Sequence, residues 1–233
     1  MEEIFERVER VVLFRIPVFG YTFELSNAVF VSLIVSIVLI IASFLLTRKL
    51  KADNPGKVQI VVEWLVQIVS NLCTTSAGHH GKAFIPYIGT LLVYLGLANI
   101  VSLFNFIPGV HLFPPTKDIN VTAALALVSI IVVLYAGFRY KGVKGWAKSL
   151  IDPMPIVAPF KLMEYATKPL SLCLRLFGNI IAGFIIMELV YSLRIPVISA
   201  LPSAYFEIFD GLLQAFIFTY LTIVYIGEAV ETN

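Results

Sequence analysis

The chain has 233 residues, of which 59% are hydrophobic and 14% charged, and its mean hydropathy is +0.91. Soluble domains carry about 25% charged residues, so this composition excludes a water-exposed globule and indicates a polytopic membrane protein. The net charge of +2 does not favour a nucleic-acid partner, and two cysteines without CxxC spacing exclude a disulfide framework and a thiolate metal site.

The elements in chain order predict a single, all-α, membrane-embedded domain over residues 1–233, with an N-terminal interfacial segment at 1–24 and a helical membrane core at 25–230. Residues 1–14 place their apolar side chains on one face, which is typical of a short helix at the membrane interface. Residues 56–73 predict an apolar helix with one polar stripe, which dips into the membrane or lies flat on it. A membrane-crossing helix needs about 20 apolar residues. Five stretches meet this requirement and predict crossing helices: 28–46, 84–107, 119–138, 159–190 and 204–226.

Lysine and arginine in the short loops predict the orientation. Four basic residues follow the first span and four follow the third, whereas each loop on the opposite side holds one. Because basic loops stay in the cytoplasm, we expect the N-terminus outside and the C-terminus inside. The cytoplasmic residues are Arg48, Lys49, Lys51, Lys57, Arg139, Lys141, Lys144 and Lys148, and the outer ones are Lys117 and Arg194.

Arg175 is the only charged residue between Lys168 and Glu188 in the fourth predicted span. A charge at membrane depth costs about 2.5–3.5 kcal/mol on insertion scales and usually marks an ion or substrate pathway. Arginine keeps its proton in proteins, so this residue would act as a fixed cation that faces an anionic substrate or a titrating carboxylate. The alternative is a snorkelling side chain or a structural salt bridge.

Arg175 shares its helix face with an amide and small residues. Asn179 and Ala182 fall within about 40° of its direction on an α-helix. Gly178 and Ala182 form a small-xxx-small pattern, which lets another helix approach closely. One interpretation is a large partner that passes along this face, and the alternative is ordinary packing within the chain.

The fifth span carries a polar stripe of Glu207, Asp210 and Gln214 at i, i+3 and i+7. This spacing predicts a wet cleft that reaches from the outside to the middle of the membrane. The alternative is that the two acids meet the interface near the helix start, where they suit the helix dipole. Asp118 and Asn120, at the start of the third span, predict either a helix cap or a polar mouth.

Motifs for catalysis are missing from the sequence. The three histidines, His79, His80 and His111, fall in predicted loops, so no serine–histidine dyad can form at membrane depth. The sequence has no GxxxxGK[ST], GxGxxG or HExxH motif. We therefore expect a protein that is not an enzyme by itself and that uses no cofactor or metal.

Two motifs resemble subunit a of the rotary F-type ATP synthases. The first is SLCLRLFGN at 171–179 followed by AG at 182–183, and the second is QAFIF at 214–218. Shorter matches occur in family order at PGK 55–57, PPTKDINVT 114–122 and KPLSL 168–172, so the resemblance covers roughly residues 25–230.

The resemblance implies a stator subunit that holds two offset half-channels against a rotating ring of c subunits and couples ion flow to ATP synthesis. The ion is expected to be the proton, with sodium as the alternative. Arg175 would match the family's essential arginine, with Asn179 and Gln214 as its polar neighbours. The implied partners are the c ring, b-type peripheral stalk subunits, the rest of the ATP synthase and the lipid bilayer, most simply that of a bacterial plasma (inner) membrane.

The resemblance also implies acids on the two half-channels. Glu207 matches a position on the outer half-channel, and Glu164 resembles an acid found on the cytoplasmic one. The usual partner of the first, a histidine or glutamate nine residues after the arginine, is replaced here by Phe184. We expect Glu188, one turn beyond Phe184, to carry the outer half-channel with Glu207 and intervening water, with Asp210 on the same side. The alternative is that Glu188 only meets the outer interface.

Two rival functions come from other classes of protein. An ion-coupled secondary transporter would use Arg175 to bind an anionic solute, but such folds usually contain internal repeats and broken helices, and no repeat is visible here. An intramembrane hydrolase would lack its base, because no histidine lies in a predicted span.

Overall fold

A computed structural model of the chain describes residues 12–18, 21–48, 50, 55–101, 114–151, 154, 156, 158–192, 202 and 204–231. Helices dominate these residues, and five helical stretches among them are long and apolar enough to cross a membrane. The all-α, polytopic fold predicted from the sequence is therefore confirmed. The five stretches are Asn27–Thr47, Lys57–Ile100, Ile119–Trp146, Ala158–Val190 and Ile208–Val230.

Three α-helices lie in the described residues before position 102. Helix α1 (Asn27–Thr47) contains no charge, and its apolar side chains are largely exposed, as expected of a surface that meets lipid. Helix α2 (Lys57–Ala77) continues through a 3₁₀ segment (Gly78–Phe84) into α3 (Ile85–Ile100). Helix α3 ends before residue 107, the predicted end of the second span, and residues 102–113 lie outside the described part of the chain.

Three further α-helices lie in the part of the chain that is described after position 113. Helix α4 (Ile119–Ile151) is interrupted at Gly142, whose φ of +70° is accessible at little cost only to glycine. Helix α5 (Ala158–Ser192) carries Arg175. A π-helix (Ala204–Asp210) then leads directly into α6 (Gly211–Val230).

The N-terminal segment contains a β-hairpin where the periodicity suggested a helix. Strands β1 (Val12–Val18) and β2 (Tyr21–Ser26) pair antiparallel, with Val18 opposite Tyr21. The predicted interfacial helix over 1–14 therefore does not include its last three residues, and residues 1–11 lie outside the described part. Pro17 disfavours a helix, and the β-branched and aromatic residues of both strands favour an extended backbone.

The chain divides into two compact units, each assembled from three segments. The first unit comprises Met1–Ser43, Val93–Thr122 and Arg175–Ala215, and the second comprises Phe44–Leu92, Ala123–Leu174 and Phe216–Asn233. That the chain works as one membrane-embedded domain remains a prediction. The second unit has an apolar core made of Val69, Cys73, Phe84, Ile88, Ile130, Val133, Ala136, Ile223, Ile226, Ala229 and Val230.

Among the described residues, the second unit buries three polar side chains, Ser129, Thr219 and Thr222, and the first unit buries five. These are Ser26, Asn99, Thr116, Thr122 and Gln214. Buried polar groups are stable only when they are hydrogen-bonded, so each of them requires a partner at a defined position. This set therefore indicates where a functional site of the first unit is built.

Candidate functional site

Arg175 lies on α5 in the first unit, and its side chain is exposed. Within the described part of the chain it makes no ion pair and no hydrogen bond. Asn179, Ala182 and Ile186 follow at four, seven and eleven residues and are exposed as well. This spacing places all four on one helix face, which therefore carries a cation, an amide, a small residue and an apolar residue.

The small residues near Arg175 have two different roles. A methyl group at Gly178 would meet no atom within 4 Å, so packing within the described chain does not require glycine there. At Gly183 a methyl group would lie 3.3 Å from the ring of Phe206, so this glycine does serve packing within the chain. Gly183 was not part of the pattern noted on the Arg175 face, and a partner that packs beside Gly178 remains a prediction.

Asn179 and Gln214 are in direct contact. The Nδ2 atom of Asn179 donates a hydrogen bond of 2.8 Å to Oε1 of Gln214 and so links α5 to α6 within the first unit. Gln214 is fully buried, and its Nε2 atom has no partner among the described residues. A buried N–H group without a partner costs about 1–3 kcal/mol, so this atom is a natural site for a water molecule.

The π-helix changes the geometry expected for the acidic stripe. Glu207 and Asp210 lie in the π-helix, and Gln214 lies in α6. A π-helix has i→i+5 hydrogen bonds and a wider turn than an α-helix, so a spacing of three residues no longer keeps Glu207 and Asp210 in line. The sequence pattern placed Glu207, Asp210 and Gln214 in one stripe of an α-helix, and the π-helix corrects the α-helical spacing assumed between Glu207 and Asp210. Asp210 is half-buried, and the side chain of Glu207 lies outside the described side chains.

Asn99 holds the junction between the π-helix and α6, and the sequence interpretation missed it. Its Nδ2 donates to the backbone oxygen of Gly211 at 2.9 Å, and its Oδ1 accepts a 2.7 Å hydrogen bond from Thr116 Oγ1. Asn99 and Thr116 are both buried. The available signal was an amide inside an otherwise apolar predicted span.

Lys117 was identified only as a loop charge, but it reaches helix α5. It ends the short 3₁₀ turn Pro115–Lys117, and its ammonium lies 3.5 Å from the ring centroid of Phe184. Glu188 is half-buried and acts electrostatically on Lys117. Burial lowers the pKa of Lys117 to about 8, and the charge of Glu188 opposes this shift.

Asp118 caps helix α4. Its Oδ1 atom accepts hydrogen bonds of 3.0 Å from the backbone N–H and the Nδ2 group of Asn120, and Ser26 Oγ donates to Oδ2 at 3.4 Å. These bonds satisfy a backbone donor at the helix start. The structure therefore shows the capping role.

Glu164 lies in the second unit, beside a polar cavity. Lys168 Nζ is 2.7 Å from Glu164 Oε1 and 2.6 Å from Glu228 Oε2. Lys168 is 13% exposed, whereas Glu164 and Glu228 are 52% and 50% exposed. The cavity has a volume of about 450 Å³, and its polar lining makes it suitable for water. Its charged lining residues are Lys141, Lys148, Lys161, Lys168, Glu164, Glu228 and Glu231.

The chemistry available to these groups is proton binding and charge stabilisation. Carboxylates and lysines can take up and release protons, and arginine supplies a fixed positive charge. Among the residues that the structure describes, no group of three or more histidine, cysteine, aspartate or glutamate residues could hold a metal ion.

Comparison with known proteins decides the family. The profile of the ATP synthase A chain family matches residues 29–227. ATP synthase subunit a 1 of Hahella chejuensis (strain KCTC 2396) is 34% identical over 211 residues, which cover 89% of this chain and 86% of that protein. The chain belongs to the ATP synthase subunit a family. Every candidate residue described above for ion translocation lies within the matched range.

Membership of the ATP synthase subunit a family defines the setting of the site. The chain is a multi-pass membrane component of the membrane sector of an F-type ATP synthase, a complex that transports ions and makes ATP. Subunits of this sector are not the catalytic ones, which agrees with the missing catalytic motifs. The family match sets aside both the solute transporter and the intramembrane hydrolase.

Proposed function

We propose that the chain is the stator subunit that conducts protons through two offset half-channels against a rotating ring of c subunits. Proton flow through the half-channels would turn the ring and so drive ATP synthesis. The observation that carries this proposal is Arg175, an exposed cation without an ion pair in the described chain, in a helix that is apolar enough to cross a membrane.

A partner carboxylate would explain why the charge of Arg175 is tolerated. A c-subunit carboxylate in lipid is protonated, because desolvation disfavours its charged form. A cation at about 4 Å and an effective dielectric constant near 20 stabilises the carboxylate by about 4 kcal/mol, or roughly three pKa units. The ring carboxylate would therefore release its proton on reaching Arg175.

The exposed face around Arg175 suits a closely packed partner helix. Gly178 has open space beside it, and Ala182 is small and exposed. Small residues let helix backbones approach closely in membranes. We assign this face to the c ring, with Asn179 and Gln214 as the polar groups behind the arginine.

Each half-channel would use acids of one unit. In the first unit, Glu188, Glu207 and Asp210 would form the outer half-channel. In the second unit, Glu164 would work with the charged cavity that it lines, as the cytoplasmic half-channel. Lys141 and Lys148, which line the same cavity, are among the loop cations that the positive-inside rule assigns to the cytoplasm.

The membrane setting follows from the same rule. We propose that the N-terminus faces the outside and the C-terminus the cytoplasm, in a bacterial plasma membrane. The b-type peripheral stalk subunits would hold this chain against the torque of the ring.

Replacement of Arg175 tests the proposal in the assembled ATP synthase. Arg175→Ala should abolish ATP-driven proton pumping in liposomes while the subunit still copurifies with the complex. Arg175→Lys should restore little pumping, because an ammonium can lose its proton in a dry site whereas a guanidinium does not. Arg139→Ala is the matched control, since Arg139 is also exposed but lies on α4, in the part of that helix that the basic residues predict to be cytoplasmic. Normal pumping by Arg175→Ala would overturn the proposal.

A further inference from the structure

Lys117, Phe184 and Glu188 form a cluster in the first unit that the proposed pathway has not used in full. The ammonium of Lys117 lies 3.5 Å from the centroid of the Phe184 ring, which is a favourable distance for a cation–π contact. Phe184 and Glu188 are separated by one turn of α5, so they lie on the same side of that helix. The loop lysine is thus brought beside a half-buried acid of the outer pathway.

The surroundings of Lys117 allow it to exchange protons near neutral pH. Its half-buried position lowers its pKa from 10.5 to about 8. The charged groups beside it include Glu188, from α5, and Asp118, its neighbour in sequence, whose Oδ1 accepts hydrogen bonds from Asn120. Lys117 therefore gives up its proton more readily than an ordinary lysine does.

We propose that Lys117 is the outermost proton carrier of the outer half-channel and that it exchanges protons with Glu188 beside the ring of Phe184. This inference rests on the proposed function, because it assigns a role in the same outer half-channel. In this scheme the ring of Phe184 holds Lys117, the first proton carrier of the outer half-channel, in place.

The transfer is a simple proton exchange. The ammonium of Lys117 gives one proton to the carboxylate of Glu188, which leaves a neutral amine and a neutral carboxylic acid. Water on the outer side then returns a proton to the amine, and Glu188 passes its proton inward. Burial disfavours the charged ammonium and carboxylate more than the neutral amine and acid, so desolvation shifts the exchange towards the neutral pair.

The advantage of a lysine over a carboxyl group is that a larger fraction of it is protonated at alkaline pH. A carboxyl group with an ordinary pKa of about 4.3 is protonated in only roughly one molecule in 5,000 at pH 8. A group with a pKa of about 8 is protonated in half of the molecules at that pH. Proton transfer is most effective when the pKa of the carrier lies near the working pH.

The competing explanation is that Lys117 forms only a structural ion pair with Glu188. The Lys117→Arg variant distinguishes this structural role from the role of a proton carrier. Lys117→Arg keeps a cation over the ring and beside Glu188, but a guanidinium does not release its proton. A purely structural role predicts that Lys117→Arg conducts like the parent. A carrier role predicts that Lys117→Arg is as defective as Lys117→Gln.

The experiment measures passive proton conduction through the membrane sector of the reconstituted complex, driven by a potassium–valinomycin potential. The pH on the side of the outer half-channel is varied from about 6 to about 9, to span the lysine titration. We expect both variants to fall within about threefold of the parent at pH 6 and at least about tenfold below it at pH 8, because direct protonation of Glu188 by water becomes rare. Lys144→Gln, which removes an exposed lysine in the C-terminal part of α4, should keep the profile of the parent.

The outcomes separate this inference from the proposed function. If Lys117→Arg keeps the conduction and pH profile of the parent, Lys117 is not a carrier and the inference is overturned. If Lys117→Gln does not copurify with the c subunits, Lys117→Arg decides alone, since it retains the cation. Failure of the proposed function would appear elsewhere, as normal ATP-driven pumping by Arg175→Ala.

Discussion

The side-chain amide of Asn179 donates a 2.8 Å hydrogen bond to that of Gln214, which is itself fully buried and has one N–H group without a partner among the described residues. Asn179 is exposed, so it can find another partner, whereas Gln214 cannot. Loss of this hydrogen bond should therefore cost more free energy of unfolding when Gln214 is left without its partner than when Asn179 is.

Substitution at either end of this bond should affect stability unequally. Asn179→Leu leaves the buried Oε1 of Gln214 without its donor in the described chain, which costs about 1–3 kcal/mol. Gln214→Leu removes the buried polar group altogether and should be close to neutral. Thermal denaturation of the purified complex, followed by loss of this subunit, should show a lower midpoint for Asn179→Leu. A larger loss for Gln214→Leu would contradict the assignment.

The bond from Thr116 to Asn99 should be needed to hold the junction at Gly211. Thr116→Val keeps the shape of the side chain but leaves Asn99 Oδ1 buried without its 2.7 Å donor, at a cost of about 1–3 kcal/mol. Thr90→Val is the control, because Thr90 is exposed and bonds only to the carbonyl of Pro86 in its own helix. Denaturation midpoints of the two complexes provide the measurement. Equal midpoints would show that the bond does not stabilise the junction.

The outer acids should be required for proton flux, and Phe184 should not. Glu188→Gln and Glu207→Gln should each lower conduction at least about tenfold, because an amide cannot bind and release a proton. Phe184→Leu removes the ring that contacts Lys117 but no group that binds a proton, so it should lower conduction less than either acid variant. Glu63→Gln is the control, because it removes an acid at an exposed position of α2 outside the proposed pathway and should leave conduction unchanged. If Glu188→Gln conducts like the parent, Glu188 does not belong to the pathway.

The orientation can be measured by labelling single cysteines in intact cells. Lys144→Cys should react with a membrane-impermeant maleimide only from the cytoplasmic side, and Val110→Cys and Val197→Cys only from the outside. The two native cysteines, Cys73 and Cys173, are buried and should give little background. Labelling of Lys144→Cys from the outside would reverse the topology.

The sequence by itself determined the class of fold and the central residues of the candidate site. Membrane spans depend on the length and charge content of a continuous stretch, which are properties of the sequence alone. All five predicted crossing segments correspond to apolar helices for this reason. Arg175, Asn179 and Gln214 were found because charged and amide groups are conspicuous in an apolar helix and because their motifs resemble a known family.

The tertiary structure decided the contacts between distant segments. The partners Asn179 and Gln214 are 35 residues apart, and Asn99 meets Gly211 across 112 residues. The position of Lys117 over Phe184 likewise depends on how a loop turn packs against α5. Periodicity within one helix carries no information about which residue of another segment will face it.

The other differences between prediction and structure arise where the backbone forms hydrogen bonds other than those of an α-helix. Strand β1 (Val12–Val18) overlaps the last three residues of the helix predicted over 1–14, and the π-helix at Ala204–Asp210 replaced the α-helical spacing that the acidic pattern had suggested. Such patterns show which side chains prefer the same environment, but they do not fix the backbone hydrogen bonds that place them there. Those bonds depend on the packing of neighbouring segments, and this packing exists only in the folded chain.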